Sequence, residues 1–340
     1  MAINAAIEVV GVDWGTTHRR AYGLNREGQC VAEHADGEGA LACKGRFDQA
    51  LQSLLDTMDA QPHAVILSGM VGSALGWQVV PYVDGTVALP ALAQHLHAVH
   101  LQLGVRADIA LAPPSVAIVP GYCVRNATGG PDVMRGEETQ LLGAHCLGHS
   151  DGWFVLPGTH SKWVELRAGR VQQLRTYMTG ELFDLLGRHG TLAAAAGSAD
   201  APWDDAAFAQ GVLAAGEGAA LSHQLFGCRA RVVSGDMAAA SSRAYLSGLL
   251  IGTELQDVLR DPASTNSAAG PGATFKLIGS PALAALYQAA AAALGQRFEL
   301  PGRANAPGGG QSGQWQARTP SPVIGHSPGR VVQVACGFIV

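Results

Sequence analysis

The chain has 340 residues, of which 48% are hydrophobic and 14% charged, and carries a formal charge of −5. That length allows two domains with a core each, and the composition excludes a disordered chain. No Lys/Arg cluster is dense enough to track a nucleic acid, although a cationic pocket for one small anion stays open. From the N-terminus, Val9–Trp14 reads as an apolar strand, Gly15-Thr16-Thr17 as a tight turn and Arg19–Asn25 as an antiparallel return. An Arg26-Glu27-Gly28 turn and a third strand over Gln29–His34 follow. A helix is expected over Gly45–Asp59, with Phe47, Leu51, Leu54, Leu55 and Met58 on one face. His63–Ser68 reads as a buried strand ending in Gly69-Met70-Val71-Gly72-Ser73. Pro81–Leu89 and Ser115–Val124 read as strand or loop, with a helix near Ala91–Leu103 whose His95, His97 and His100 form a solvated face.

The second half repeats this plan. Trp153–Leu156, Ser161–Arg167 and Arg170–Met178 give three strands, with an Ala168-Gly169 turn between the last two. Helices are expected near Gly180–His189, Asp204–Phe226 and Ser241–Leu259. Phe275–Ile278 is then a strand leading through Gly279-Ser280-Pro281 into a helix ending near Leu294, with proline in its favoured first turn.

The repeated strand–turn–strand segment is the most informative feature. Aligning Gly15 with Gly158 also pairs Thr16 with Thr159 and Arg19 with Lys162. Glycine admits an anion close to the backbone, and turn N–H and hydroxyl groups donate to phosphate oxygens. Two such hairpins suggest a nucleotide clamped between two related domains, with Gly15, Thr16 and Thr17 on one phosphate and Gly158, Thr159 and His160 on the others. Asp13, at the strand end beside the first turn, is the candidate for holding Mg²⁺. Gly279 and Ser280, between a strand and a helix, are candidates for the adenosine edge, with a plain structural turn as the competing reading.

Six cysteines (Cys30, Cys43, Cys123, Cys146, Cys228 and Cys336) include no CxxC pair, which points to reduced thiols in a cytoplasm. His145, Cys146 and His149 lack a sensibly spaced fourth ligand and read as part of an ordinary helix rather than a zinc site. The N-terminus has no signal-peptide pattern, and no apolar run is long enough to span a membrane.

Two tandem β-β-β-α-β halves resemble the ribonuclease H-like domains of the actin-type ATPase and sugar-kinase superfamily. The ordered set Asp13–Thr17, Ser68–Ser73, Pro120-Gly121, Met134–Gln140, Leu156–Trp163 and Ser247–Gly252 resembles the 2-dehydro-3-deoxygalactonokinase family from about residue 7 to about residue 300. The resemblance implies an α/β fold of two such domains with a nucleotide cleft between them. Residues 1–130 would form the first domain, with the sugar pocket, and 131–300 the second, with the adenosine site. It implies ATP- and Mg²⁺-dependent phosphorylation of 2-dehydro-3-deoxy-D-galactonate at its 6-hydroxyl, with a homodimer left open. In related sugar kinases an acid at a helix start deprotonates the sugar. By that analogy Glu137 aligns with the base, and Asp132 and Glu138 compete with it. A substrate carboxylate calls for cationic donors. Arg135 is favoured for it and Lys162 for phosphate, with Arg19 a further substrate candidate and Arg20 as readily a surface residue. Met70, Gly72 and Trp77 shape the sugar pocket, or, for Met70 and Trp77, the core. The Gly/Pro-rich segment 303–340 departs from the family, which closes there with a helix; it reads as a flexible tail or an altered frame. The rival readings are a same-fold kinase for another sugar or sugar acid, an actin-like ATPase that switches partners, and an inactive sugar sensor.

Overall fold

The computed structural model describes residues 6–101, 113–198, 200–261 and 275–301. They fall into two compact units. One holds the described residues up to Asp151 together with Leu166–Leu174; the other holds Gly152–Glu165 and the described residues from Arg175 to Leu300. The tail expected over 303–340, Cys336 and the end of the helix expected near Ala91–Leu103 lie outside the described residues.

In the first unit the chain forms β1 (Val9–Trp14), β2 (Arg19–Leu24), β3 (Cys30–Asp36), α1 (Phe47–Thr57) and β4 (Ala64–Gly69). After short turns come β5 (Val83–Asp84), β6 (His97–Val99), β7 (Ser115–Ile118), β8 (Tyr122–Arg125), β9 (Pro131–Met134) and α2 (Glu137–Cys146). The main sheet has the order β3-β2-β1-β4-β7-β6, and β5, β8 and β9 form a second, small sheet. β1 pairs antiparallel with β2 and parallel with β4, which is parallel to β7. β4 is buried along its whole length, as expected of a central parallel strand rich in Val, Ile and Leu. The α1 stripe Phe47, Ala50, Leu51, Leu54 and Leu55 is buried, and Phe47 meets Trp14 edge-on at 5.5 Å between ring centroids.

The helix expected near Ala91–Leu103 is not found over its described part. Leu89–His95 is a short 3₁₀ segment, and β6 then pairs antiparallel with β7. Only Leu89 and Leu92 are buried there, so the apolar spacing lasts a single turn and edge pairing decides the rest. His95 and His97 therefore sit on different elements rather than on one helix face.

The second unit contains β10 (Gly152–Leu156) and parts of β11 (Ser161–Arg167) and β12 (Arg170–Tyr177). It continues with α3 (Thr179–Arg188), α4 (Gly190–Ala195), α5 (Asp205–Ala214), α6 (Leu221–Ser234), α7 (Ser242–Arg260), β13 (Phe275–Leu277), α8 (Pro281–Ala293) and β14 (Phe298–Glu299). The single helix expected over Asp204–Phe226 is two, because the chain leaves α5 through a 3₁₀ turn and a left-handed Gly218 (φ 81°). The sheet order is β12-β11-β10-β13-β14, with β13 parallel to both β10 and β14. Three strands joined in sequence and two parallel strands beyond the first thus recur in both units. This is the tandem ribonuclease H-like architecture of actin-like ATPases and sugar kinases.

Candidate active site

β1 ends at Asp13-Trp14 and turns through Gly15–His18 into β2, with Gly15 N–H donating to His18 O at 3.0 Å. The registers set Asp13 opposite Arg20 on β2 and Ser68 on β4. Burial pushes the Asp13 carboxyl above the usual range, and the Arg20 charge pulls the other way. A later segment covers the back of the turn: Ala40 N–H donates to Gly15 O (2.9 Å) and Leu41 N–H to Thr16 O (3.2 Å). A Cβ on Gly39 would lie 2.5 Å from Thr16 O, so only glycine fits. With those carbonyls engaged, half-buried Thr16 and exposed Thr17 line the turn's edge with hydroxyls, that of Thr17 meeting His18 Nδ1 at 2.9 Å. One carboxylate beside such an edge suits Mg²⁺, which is usually held by one or two carboxylates plus phosphate oxygens and water. Among the described residues no three His, Cys, Asp or Glu side chains group into a protein-only metal cage.

Arg19 does not join this edge, which corrects its expected substrate role. Only 3% exposed, it pairs with Asp36 (Nη2–Oδ2 2.6 Å) and donates from Nη1 to Ala50 O at 2.8 Å. A buried guanidinium must find fixed partners, and these tie β2 to β3 and α1.

The three candidate acids differ in access. Glu138 has no exposed surface; Oε2 accepts from Gly136 N–H (2.7 Å) and Oε1 from the Ser68 hydroxyl (3.3 Å). Burial, with the charge of Glu137 adding to it, pushes this carboxyl up to about 8. So enclosed an acid cannot meet a sugar hydroxyl, and Glu138 drops out as a base; its bonds place the start of α2 beside the ends of β1 and β4. Glu137 is half-buried, and its Oε2 accepts from Arg135 N–H at 3.1 Å. Asp132, also half-buried, stands on β9, where its Oδ1 accepts from Val133 N–H at 2.7 Å.

Arg135 lies over the Tyr82 ring, 4.3 Å from its centroid, and donates from Nη2 to Val80 O at 2.6 Å. Among the described residues its buried Nε and Nη1 have no hydrogen-bond partner. Gly72 makes room for this head group, since a Cβ there would lie 2.9 Å from Nη1. Met70 and Trp77 pack against the core of the first unit, and Trp77 stacks on Phe47 at 5.9 Å. Tyr82 escaped the sequence reading, because nothing in the sequence links it to Arg135 across the small sheet.

In the second unit the turn Gly158–His160 is backed in the same way as the first. Glu181 N–H donates to Thr159 O at 2.9 Å, and a Cβ on Gly180 would lie 2.4 Å from Gly158 O. His160 Nε2 meets Glu181 Oε2 at 2.5 Å. Lys162 is only 6% exposed, and its Nζ donates to Thr176 Oγ1 at 2.9 Å. Gly279 sits beside this turn: a Cβ there would lie 3.3 Å from Pro157 Cδ. Ser280 caps α8, its hydroxyl accepting from Leu283 N–H at 3.5 Å.

Beneath the turn lies a carboxylate that the sequence did not reveal. Glu254 on α7 is 1% exposed and accepts from the Ser161 hydroxyl (3.1 Å), Trp163 Nε1 (3.3 Å) and the Thr179 hydroxyl. Tyr287 on α8 donates to Ser161 Oγ at 3.2 Å. Burial pushes the Glu254 carboxyl up to about 7, against the pull of these hydrogen bonds.

The family described as 2-keto-3-deoxy-galactonokinase matches residues 13–310. The chain is 38% identical over 284 residues to Probable 2-dehydro-3-deoxygalactonokinase DgoK1 of Rhizobium meliloti (strain 1021), covering 82% of this chain and 87% of that one. It is 32% identical over 287 residues to the Escherichia coli (strain K12) 2-dehydro-3-deoxygalactonokinase, covering 84% and 90%. Its fold superposes, with a TM-score of 0.73 and 34% identity, on the crystal structure of a 2-dehydro-3-deoxygalactonokinase protein from Sinorhizobium meliloti, covering 86% and 90%. With two glycine-backed turns on two sheets that share an order over five strands, and matches along most of its length, the chain belongs to the 2-keto-3-deoxy-galactonokinase family of kinases.

Proposed function

We propose that the protein transfers the γ-phosphoryl group of ATP to the 6-hydroxyl of 2-dehydro-3-deoxy-D-galactonate in the cytoplasm. The product, 2-dehydro-3-deoxy-6-phospho-D-galactonate, would feed an aldolase in galactose or galactonate breakdown. The substrate named for the relatives agrees with this reading, and Arg135 carries it. Arg135 is half-buried, with Nε and Nη1 unpaired among the described residues, and a carboxylate is the anion that a guanidinium pairs with once the side chain turns toward the ligand. The free thiols Cys30, Cys43, Cys123, Cys146 and Cys228 suit a reducing compartment.

In the first unit, Gly15, Thr16 and Thr17 hold the transferring phosphate and Arg135 holds the sugar-acid carboxylate. Glu137 accepts the proton of the 6-hydroxyl as that oxygen bonds to the γ-phosphorus. The bond from phosphorus to the β–γ bridging oxygen breaks, and ADP leaves. Mg²⁺ held at Asp13 would neutralise charge on the phosphate oxygens. In the second unit, Gly158, Thr159, His160 and Lys162 hold the remaining phosphates, and Gly279 and Ser280 face the adenosine.

The test is ADP formation with 2-dehydro-3-deoxygalactonate, its gluconate epimer and neutral hexoses offered separately. Turnover confined to the galactonate compound is the expected result, and turnover on a neutral hexose would replace the substrate. Arg135→Ala should lower kcat/KM for the acid at least ~100-fold, in keeping with a lost charge-assisted pair of about 3 kcal/mol. Arg135→Lys should recover little, because an ammonium lacks the fork.

A further inference from the structure

We infer that Glu254 is a positioning residue for ATP, holding the nucleotide-binding parts of the second unit in register through one buried carboxylate. The inference rests on the reading of Gly158–Lys162 as a phosphate turn. Three elements that bear on the nucleotide converge on this side chain. Ser161, which donates to Oε1, directly follows the turn and begins β11. Thr179, which donates to Oε2, begins α3. The next two residues of α3 back the turn, Gly180 by close approach to Gly158 and Glu181 by its N–H on Thr159 O and its carboxylate on His160. Tyr287, bonded to Ser161, lies on α8, which is capped by Ser280 of the proposed adenosine edge. Trp163 Nε1 adds a third donor to the carboxylate, from the β11 face that lies against the core.

An acid buried among hydroxyl and indole donors fixes hydroxyl rotors and strand ends that would otherwise choose between water and several backbone partners. Glu254 is too enclosed to touch the nucleotide, so its effect reaches ATP only through the turn. That predicts a particular kinetic pattern: nucleotide affinity falls while affinity for the sugar acid stays the same.

The experiment compares the full-length wild type with Glu254→Ala, Glu254→Gln and Thr179→Val. KM for ATP, KM for 2-dehydro-3-deoxygalactonate and the calorimetric Kd of ADP and adenosine are read for each, with thermal melts alongside. In the wild type ADP should bind at least tenfold more tightly than adenosine; equal affinities would refute the phosphate-turn reading and this inference with it. Glu254→Ala should raise KM for ATP and Kd for ADP at least tenfold, with KM for the sugar acid within twofold. Glu254→Gln keeps an acceptor for Ser161 and Trp163 and should return both nucleotide constants to within about threefold of wild type. If Glu254→Ala does not fold, Thr179→Val decides, with an expected three- to tenfold loss of ADP affinity. Phosphate-dependent ADP binding in the wild type, combined with lowered melting temperatures and unchanged nucleotide constants in the variants, would overturn the positioning role and leave the phosphate turn intact.

Discussion

Glu137 and Glu138 are neighbours in sequence with opposite situations, and the difference lies in helix geometry. Consecutive helical residues point about 100° apart, so one side chain turns inward to Ser68 and Gly136 while the other stays half-exposed. Glu137→Gln should lower kcat by ~10²- to 10⁴-fold with KM for ATP little changed, the loss typical of a general base. Asp132→Asn serves as the control, and a larger loss there would move the base to β9. Glu138→Gln should instead show itself in stability. The folded-state pKa of Glu138 is raised from 4.5 to about 8, so the native protein prefers this side chain protonated. Stability from this group is therefore fully present below pH 4.5 and is lost as the pH rises through about 8. Relative to wild type, Glu138→Gln should gain stability across that window, at up to roughly 1.4 kcal/mol per pH unit. Urea melts at pH 5, 6.5 and 8 would measure it, and a difference that does not vary with pH would refute the shift. The pair was legible in sequence only as two acids at a helix start, because which of them faces inward depends on β4, some 70 residues earlier.

At the scale of elements, α5 and α7 cross where glycines let the backbones meet. A Cβ on Gly248 would lie 2.0 Å from Phe208 O, and one on Gly252 would lie 2.8 Å from Val212 Cα. The Ser247–Gly252 segment that helped mark the family is thus a packing surface, which also brings Glu254 to its place two residues later on the same helix. Gly248→Ala should cost about 3 kcal/mol, at the upper end of overpacking, measured as a lower urea midpoint with unchanged slope. Strong periodicity, as in α1, and short strands closed by turns were readable from the sequence alone. The helix expected near Ala91–Leu103 and the unbroken one over Asp204–Phe226 were not. In the first an edge pairing outweighs a weak apolar repeat, and in the second a left-handed glycine stops a helix whose alanines would have continued it.

On the scale of the whole chain, the duplication seen in the two Gly-Thr turns extends to two sheets that share an order over five strands, the first carrying β6 as a sixth at its edge. That much was legible because hairpins and their turns are local. The partners of the matched cations were not: Arg19 and Lys162 align in sequence, yet the first is bound to Asp36 and the second to Thr176. The duplication reaches one further feature, the glycines behind the turns. Gly39 lies against Thr16 and Thr17, and Gly180 lies against Gly158 and Thr159. Neither belongs to a recognisable motif or to the residues assigned to a ligand, and any side chain there would displace the turn it backs. In a saturation library selected for growth on the sugar acid, both positions would be depleted as severely as the turn glycines themselves. An observer ranking positions by tolerance would place them among the substrate contacts, although what they supply is room.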